Sequence, residues 1–139
     1  MRTLLLRIVF AVYLVAMGFL VWLPNPDAVQ YTGIVAVVAR WFEPLGLPFE
    51  PTYIVLEILA NVVLFVPFGL LLSVAAPRWS PWAIIGLGCL VSVVIELVQL
   101  GIPSRLPTVS DVIANSAGAA LGCALVMRQR MLRTTPSAE

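Results

Sequence analysis

The sequence predicts an all-α, polytopic membrane bundle of four transmembrane helices. Two observations carry that prediction. Of 139 residues, 61% are hydrophobic and 11% charged, with a mean hydropathy of +1.04; soluble domains average about 45–50% apolar and about 25% charged. Four apolar runs, at residues 4–23, 54–76, 82–100 and 110–127, have the roughly 20-residue length that crosses a hydrocarbon core as a helix. Breakers follow each run: Pro24-Asn25-Pro26, Pro77-Arg78, Gly101-Ile102-Pro103, and finally Arg128.

The first run follows Arg2 and contains Arg7. Its long apolar stretch and the lack of an A-x-A site favour an uncleaved span over a signal peptide. The segment 24–53 is the longest connection and holds five prolines together with Asp27, Glu43 and Glu50. Its middle, residues 33–42, is apolar but too short to cross. It reads as an interfacial helix, with a re-entrant segment as the alternative. The second run contains Pro67, which removes one backbone hydrogen bond and crowds the Val63 carbonyl, so a kink is expected there. Gly69 adds local freedom. The short links after runs two and three predict antiparallel neighbours. Residues 134–139 read as a disordered tail. The chain is read as one membrane domain, 1–139, with 128–139 as a cytoplasmic tail.

Arginine placement orients the bundle. With both termini cytoplasmic, Arg2, Arg7, Arg78, Arg128, Arg130 and Arg133 lie inside, and only Arg40 and Arg105 outside. This distribution obeys the positive-inside rule, and the opposite orientation inverts it. Trp22 and Trp41 then fall near the outer interface, and Trp79 and Trp82 near the inner one.

Composition also excludes functions. No basic patch suits nucleic acid. Neither Lys nor His occurs, which removes the commonest general base and metal-ligating imidazole. Cys89 and Cys123 sit in apolar runs without CxxC spacing and read as small hydrophobes.

Three polar pairs interrupt the apolar runs: Glu57 with Asn61, Glu96 with Gln99, and Asp111 with Asn115. Spacing of three or four residues puts each pair on one helix face. Ionisable groups in such helices face the bundle interior and mark sites by default. All three pairs fall at one depth, on the extracytoplasmic side. Asp111, Asn115, Gly118 and Gly122 form a narrow stripe, and Gly118 and Gly122 make a GxxxG pair that permits close helix approach. Gly88, Ser92, Glu96 and Gln99 share a face of run three. Ser104, Arg105 and Thr108 lie in the outer loop beside them, and Ser110 is a candidate N-cap for the fourth helix.

Glu57, Glu96 and Asp111 outnumber the nearby cation Arg105, even if Arg40 folds back. A dry bundle does not hold such an excess of negative charge. Protonation, entering water, or a bound cationic group must offset it. Oxygen ligands would suit Mg²⁺ or Ca²⁺, but the expected state carries no metal and no cofactor.

Three blocks together resemble the VanZ-like family of small membrane proteins. Asn61-Val62-Val63-Leu64-Phe65-Val66-Pro67-Phe68-Gly69 is similar to its N-x-x-x-F-x-P-F-G segment. Ser92, Glu96 and Gln99 are similar to its S-x-x-x-E-x-x-Q helix. Arg105, Asp111, Asn115, Gly118 and Gly122 are similar to its R-x(5)-D-x-x-x-N-x-x-G-x-x-x-G run. The motifs cover about residues 57–127. The resemblance implies a multi-pass protein of the bacterial plasma membrane, part of the cell envelope, in a family associated with antibiotic resistance, namely to teicoplanin. Many members carry a further acid between the Arg and the Asp. Here Thr108 and Ser110 occupy that stretch, which weakens a metal model. Glu57 lies outside the carried-over pattern and rests on the charge argument alone.

Three functions compete. The first is a non-catalytic outer-leaflet pocket for a polar headgroup, from a cell-wall lipid precursor, or for a glycopeptide. Its ligand-binding residues would be Asn61, Glu96, Gln99, Arg105, Asp111, Asn115 and Glu57, with Pro67, Gly69, Gly118 and Gly122 shaping the helices. The second is a structural or partner subunit in which the same groups bond helices together. The third is an intramembrane enzyme with Glu96 or Asp111 as base. The missing His, Lys and nucleophile elbow weigh against it. Membrane lipids are the expected partners in every case, and a bundle this small is a candidate homo-oligomer.

Overall fold

The computed structural model describes residues 2–22, 33–101 and 108–134. Within them the chain forms α1 (Arg2–Trp22), α2 (Ile34–Trp41), a 3₁₀ turn (Glu43–Leu45), α3 (Phe49–Ala75), α4 (Pro81–Gln99) and α5 (Val109–Thr134). No strand occurs among the described residues. Helices α3, α4 and α5 are long and apolar enough to cross a membrane, and α1 contributes a shorter apolar stretch, Leu4–Phe19. Arg105 and the rest of 102–107, and the tail from 135 onward, lie outside the described residues, as does the segment 23–32.

Two boundaries differ from the sequence expectation. Helix α3 starts at Phe49 rather than near residue 54, because Pro51 sits in the first turn. There its missing N–H costs nothing. Thr52 reinforces this turn by donating to the Pro48 carbonyl at 2.7 Å. Helix α5 continues past Arg128 to Thr134. That extension has a partner: Arg130 Nη2 donates to the Ser73 carbonyl at 2.7 Å. Ser73 lies in the last turn of α3, where carbonyls lack intrahelical donors and a cation is favourable. The expected short apolar helix appears as α2.

Helix α3 packs most extensively on α5. Glycine explains the close approach. A Cβ on Gly118 would strike the Val62 carbonyl, one on Gly122 the Val66 carbonyl, and one on Gly69 the Ala119 carbonyl. The two backbones therefore touch where side chains would hold them apart. In lipid no hydrophobic force drives helices together, so this contact and interhelical hydrogen bonds do. Helix α4 closes the other side, with Gly88 against Ala119 and Phe68. The interior joins Met17, Phe65, Phe68, Leu72, Ile84, Ile95, Ala119 and Cys123.

Contacts fix the relative directions. Tyr13 meets Leu64 and Phe10 meets Phe68, so α1 runs antiparallel to α3. Asn61 meets Asp111 and Ser73 meets Arg130, so α3 and α5 are parallel. Asn115 meets Ser92 and Thr108 meets Glu96, so α4 is antiparallel to both. The start of α1 and the ends of α3 and α5 consequently share one end of the bundle. That end carries Arg7, Arg78, Arg128, Arg130 and Arg133.

Large apolar side chains point outward. Val63, Leu90, Leu97 and Ile113 are each more than half exposed. The buried set includes Ser73, Ser92, Glu96, Gln99 and Asn115. A soluble protein reverses this pattern; a bundle solvated by lipid tails does not need to.

Pro67 sits inside a continuous α3. Beside it the Tyr13 hydroxyl donates to the Leu64 carbonyl at 2.5 Å, and the Phe68 N–H interacts with the Tyr13 hydroxyl oxygen. Leu64 and Phe68 are one helical step, i and i+4, so a side chain from α1 stands at that rung of the α3 ladder. This is a recognised way of accommodating a disturbed helix.

Candidate functional site

The polar pairs converge at the end of the bundle opposite the arginines. Their spacing of three or four residues predicts shared faces, and the observed bonds run between helices. Asn61 Nδ2 on α3 donates to Asp111 Oδ1 on α5 at 2.7 Å. One turn deeper, Asn115 Nδ2 on α5 donates to Ser92 Oγ on α4 at 2.8 Å. Glu96 Oε2 on α4 accepts the Thr108 backbone N–H at 3.0 Å. These bonds tie α3, α4 and α5 together within two turns.

Thr108, not Ser110, starts α5. Its Oγ1 accepts the Asp111 N–H at 3.2 Å, which is the N-cap geometry. Asp111 occupies the third helical position, so Thr108-Val109-Ser110-Asp111 follows the capping-box spacing with Asp in place of Glu. Thr108 Oγ1 also lies 2.7 Å from Ser110 Oγ. The cap holds the Asp111 carboxylate at the positive end of α5, where a negative charge is favourable.

The remaining predicted residues fall around this core. Gln99 is buried near the end of α4. Glu57, half-buried, accepts from Tyr53 Oη at 3.3 Å, and it is close enough to act electrostatically on Glu96, as Asp111 is. The structure therefore brings Glu57 into the set. Arg40 lies over the Phe49 ring, 5.7 Å from its centroid, at the start of α3. Arg105 is outside the described residues. Gly118 and Gly122 line the α3 seam directly below Asp111 and Asn115.

Three participants escaped the sequence reading as site members. Ser92 was legible as part of the α4 polar face and has a partner in Asn115. Thr108 was legible from its T-x-x-D spacing. Tyr53 stands four residues before Glu57, the spacing of a helical neighbour.

Two chemical facts define the site. Neither the Glu96 nor the Asp111 carboxylate meets a basic side chain among the described residues. Asn115 Oδ1 is fully enclosed and has no hydrogen-bond partner among the described residues, in a residue only 3% exposed. Ser92 can serve one end of the amide only, so one buried polar atom remains over whichever way the amide is turned. Leaving such an atom unpaired costs about 1–3 kcal/mol. Glu57, Asn61 and Asp111 are only half-buried, so the set is reached from its end of the bundle. Among the described residues no three acidic or sulfur ligands converge as a metal cage would require. A separate groove of about 240 Å³ lies at the arginine end, lined by Ser73, Trp79, Ile84, Cys123, Met127 and Arg130. It contains no member of the polar set.

The fold and site define a small helical protein of membrane type, built around a polar set enclosed by apolar helices. A protein-family model described as VanZ/LLP1 matches residues 10–132. The chain belongs to that family. The match begins in α1 and so extends beyond the three motif blocks. No curated protein and no solved structure matched the chain.

Proposed function

We propose that this protein lies in a bacterial plasma membrane with both termini cytoplasmic and uses its polar set as an outer-leaflet binding site. The occupant is the polar headgroup of a cell-envelope lipid or a glycopeptide-related ligand, held without catalysis. Four spans, α1 with α3, α4 and α5, carry the chain through the membrane, and α2 lies at the outer interface. The arginine-rich end faces the cytoplasm under the positive-inside rule.

One observation carries this reading: the buried Asn115 amide, left one partner short among the described residues one helical turn from Asp111, in a set whose two carboxylates no described basic group offsets. Helix association explains paired polar groups. It does not explain retaining a buried unpaired polar atom and surplus negative charge at a cost. A ligand supplies both missing partners. Arg105, as the loop cation, would engage a phosphate or carboxylate of the same ligand.

A structural role is the second reading. The Asn61–Asp111 and Asn115–Ser92 bonds favour it, because each joins two helices directly. Native mass spectrometry of wild type beside Arg105→Ala separates the two. The binding reading predicts a discrete lipid adduct on wild type that the variant loses. Identical adduct-free spectra from folded samples move the assignment to the structural reading.

A further inference from the structure

From the groove at the arginine end we infer a second site, one that holds an anionic phospholipid with its phosphate on Arg130 and an acyl chain along Ile84, Cys123 and Met127. This site lies at the end of the bundle away from the polar set and is independent of what that set binds.

The groove is apolar at its floor and basic at its rim. On α5, Cys123, Met127 and Arg130 follow i, i+4, i+7 spacing and form one stripe of the helix. Arg130 lies about 31 Å along α5 from Val109, at about 1.5 Å per residue. That is close to the roughly 30 Å of a hydrocarbon core, so the guanidinium reaches headgroup level while Met127 and Cys123 lie one and two turns deeper. Ile84 on α4 and Ser73 on α3 complete the walls of a groove of about 240 Å³. A cavity of about 150 Å³ admits benzene, so this one takes several carbons of a chain. Ile84 and Cys123 are buried, Met127 is half-buried and Arg130 is exposed. The lining therefore runs from the interior to the surface, as a lipid tail and its headgroup require.

Charge selects the headgroup. Arg130 Nη2 donates to the Ser73 carbonyl at 2.7 Å, in the last turn of α3, which sets the guanidinium at the rim. Its planar fork matches phosphate oxygens. Arg7, Arg78, Arg128 and Arg133 share this end. The acids of the described residues, Glu43, Glu50, Glu57, Glu96 and Asp111, all fall toward the other end. Helix α4 begins beside the groove, with Pro81 in its lining, and adds the positive end of its dipole. Trp79 is half-exposed on the rim, where an amphipathic ring suits the headgroup level. Basic pockets between membrane helices bind anionic headgroups through this combination. A zwitterionic headgroup would bring an ammonium into a basic end, and a soluble phosphate would leave the apolar floor uncovered.

The test titrates short-chain phosphatidylglycerol, phosphatidylcholine of the same chain length, and glycerol 3-phosphate onto the purified full chain, each read by native mass spectrometry. Wild type should bind phosphatidylglycerol at least about fivefold tighter than phosphatidylcholine, the effect of one arginine near an anionic group. Glycerol 3-phosphate, which lacks the chains, should not bind measurably. Arg130→Gln should lose the preference, and Arg130→Lys, which keeps the charge, should retain most of it. Met127→Trp, which fills the groove, should weaken both lipids. Arg128 is exposed and stands about 160° around the helix from Arg130, so Arg128→Gln should bind as wild type. Asp111→Asn, at the polar set, should do the same. Equal binding of the two lipids by wild type, or binding of neither, overturns the inference even if no variant folds. Equal losses in Arg128→Gln and Arg130→Gln, or undiminished binding in Met127→Trp, reduce the effect to diffuse surface charge and overturn the groove. Glycerol 3-phosphate binding as tightly as the lipid overturns the assignment to a lipid.

Discussion

The side-chain amide of Asn61 on α3 donates a 2.7 Å hydrogen bond to the carboxylate of Asp111 on α5. Two residues 50 positions apart thereby close the α3–α5 pair at the end away from the arginines of α5, next to a seam where glycines bring the backbones together. Asn61 spends its donor on an acid that the T-x-x-D cap already fixes at the helix start. Asp111 thus has one oxygen engaged in architecture and acceptor capacity in reserve.

Replacing Asn61 with Ala removes that bond. Interhelical bonds in membrane proteins average about 0.6 kcal/mol and reach about 1.7. Unfolding in detergent, followed by circular dichroism against a denaturant series, should show a loss in that range. Asp111→Asn should lose less, because its amide oxygen still accepts from Asn61.

Gly118→Val and Gly122→Val should be far more damaging. Each new side chain would start inside a backbone carbonyl of α3, at Val62 and Val66 respectively. Overpacking costs typically 1–3 kcal/mol, and more where backbone must move. Fluorescence-detected size-exclusion should report a collapsed monodisperse peak. Gly86→Ala, which meets nothing within 4 Å, serves as the tolerant control.

The buried Asn115–Ser92 pair allows a double-mutant cycle. Ser92→Ala alone deprives the Asn115 amide of its partner and should destabilise by about 1–3 kcal/mol. Ser92→Ala with Asn115→Leu removes both polar groups and should recover much of that loss. The recovered protein should fold and still fail to hold lipid at the polar set. A double variant that binds lipid normally would place the ligand elsewhere.

Much of this architecture was legible in the chain. The apolar runs gave α3, α4 and α5, because a helix in lipid must be continuously apolar wherever it is immersed. Their ends were less legible. The first turn of α3 is polar and contains Pro51, so an apolar-run criterion passes over it. The last turns of α5 are basic and look like a tail, and they stay helical with Arg130 bonded to the Ser73 carbonyl. For the site, spacing revealed which residues share a face. It could not reveal that Asn61 would choose Asp111, or Asn115 choose Ser92. Those choices depend on the helix crossing that Gly69, Gly118 and Gly122 set. Tyr13 was invisible for the same reason: its partner, the Leu64 carbonyl, lies 51 residues away and is a backbone atom.

Tyr13→Phe tests the α1 contact. It removes the hydroxyl beside Pro67 and keeps the ring, which stacks on Phe10 at 6.2 Å. A loss of about 0.6–1.7 kcal/mol is expected, read as faster protease release of α1 from the bundle. Lipid binding at the polar set, whose bonds join α3, α4 and α5, should be unchanged.

The most direct test of a binding role is the unfolding midpoint of wild type and Asp111→Asn, each measured with and without added envelope-lipid extract. A ligand that binds only the folded state stabilises it by RT ln(1 + [L]/Kd), about 2.7 kcal/mol at a hundredfold excess over Kd. The account predicts nearly equal midpoints for the two proteins in pure detergent and a lipid-dependent rise that is larger in wild type. Equal rises in both proteins, or a variant that is strongly destabilised before lipid is added while wild type does not respond to it, would contradict the account and mark these carboxylates as structural.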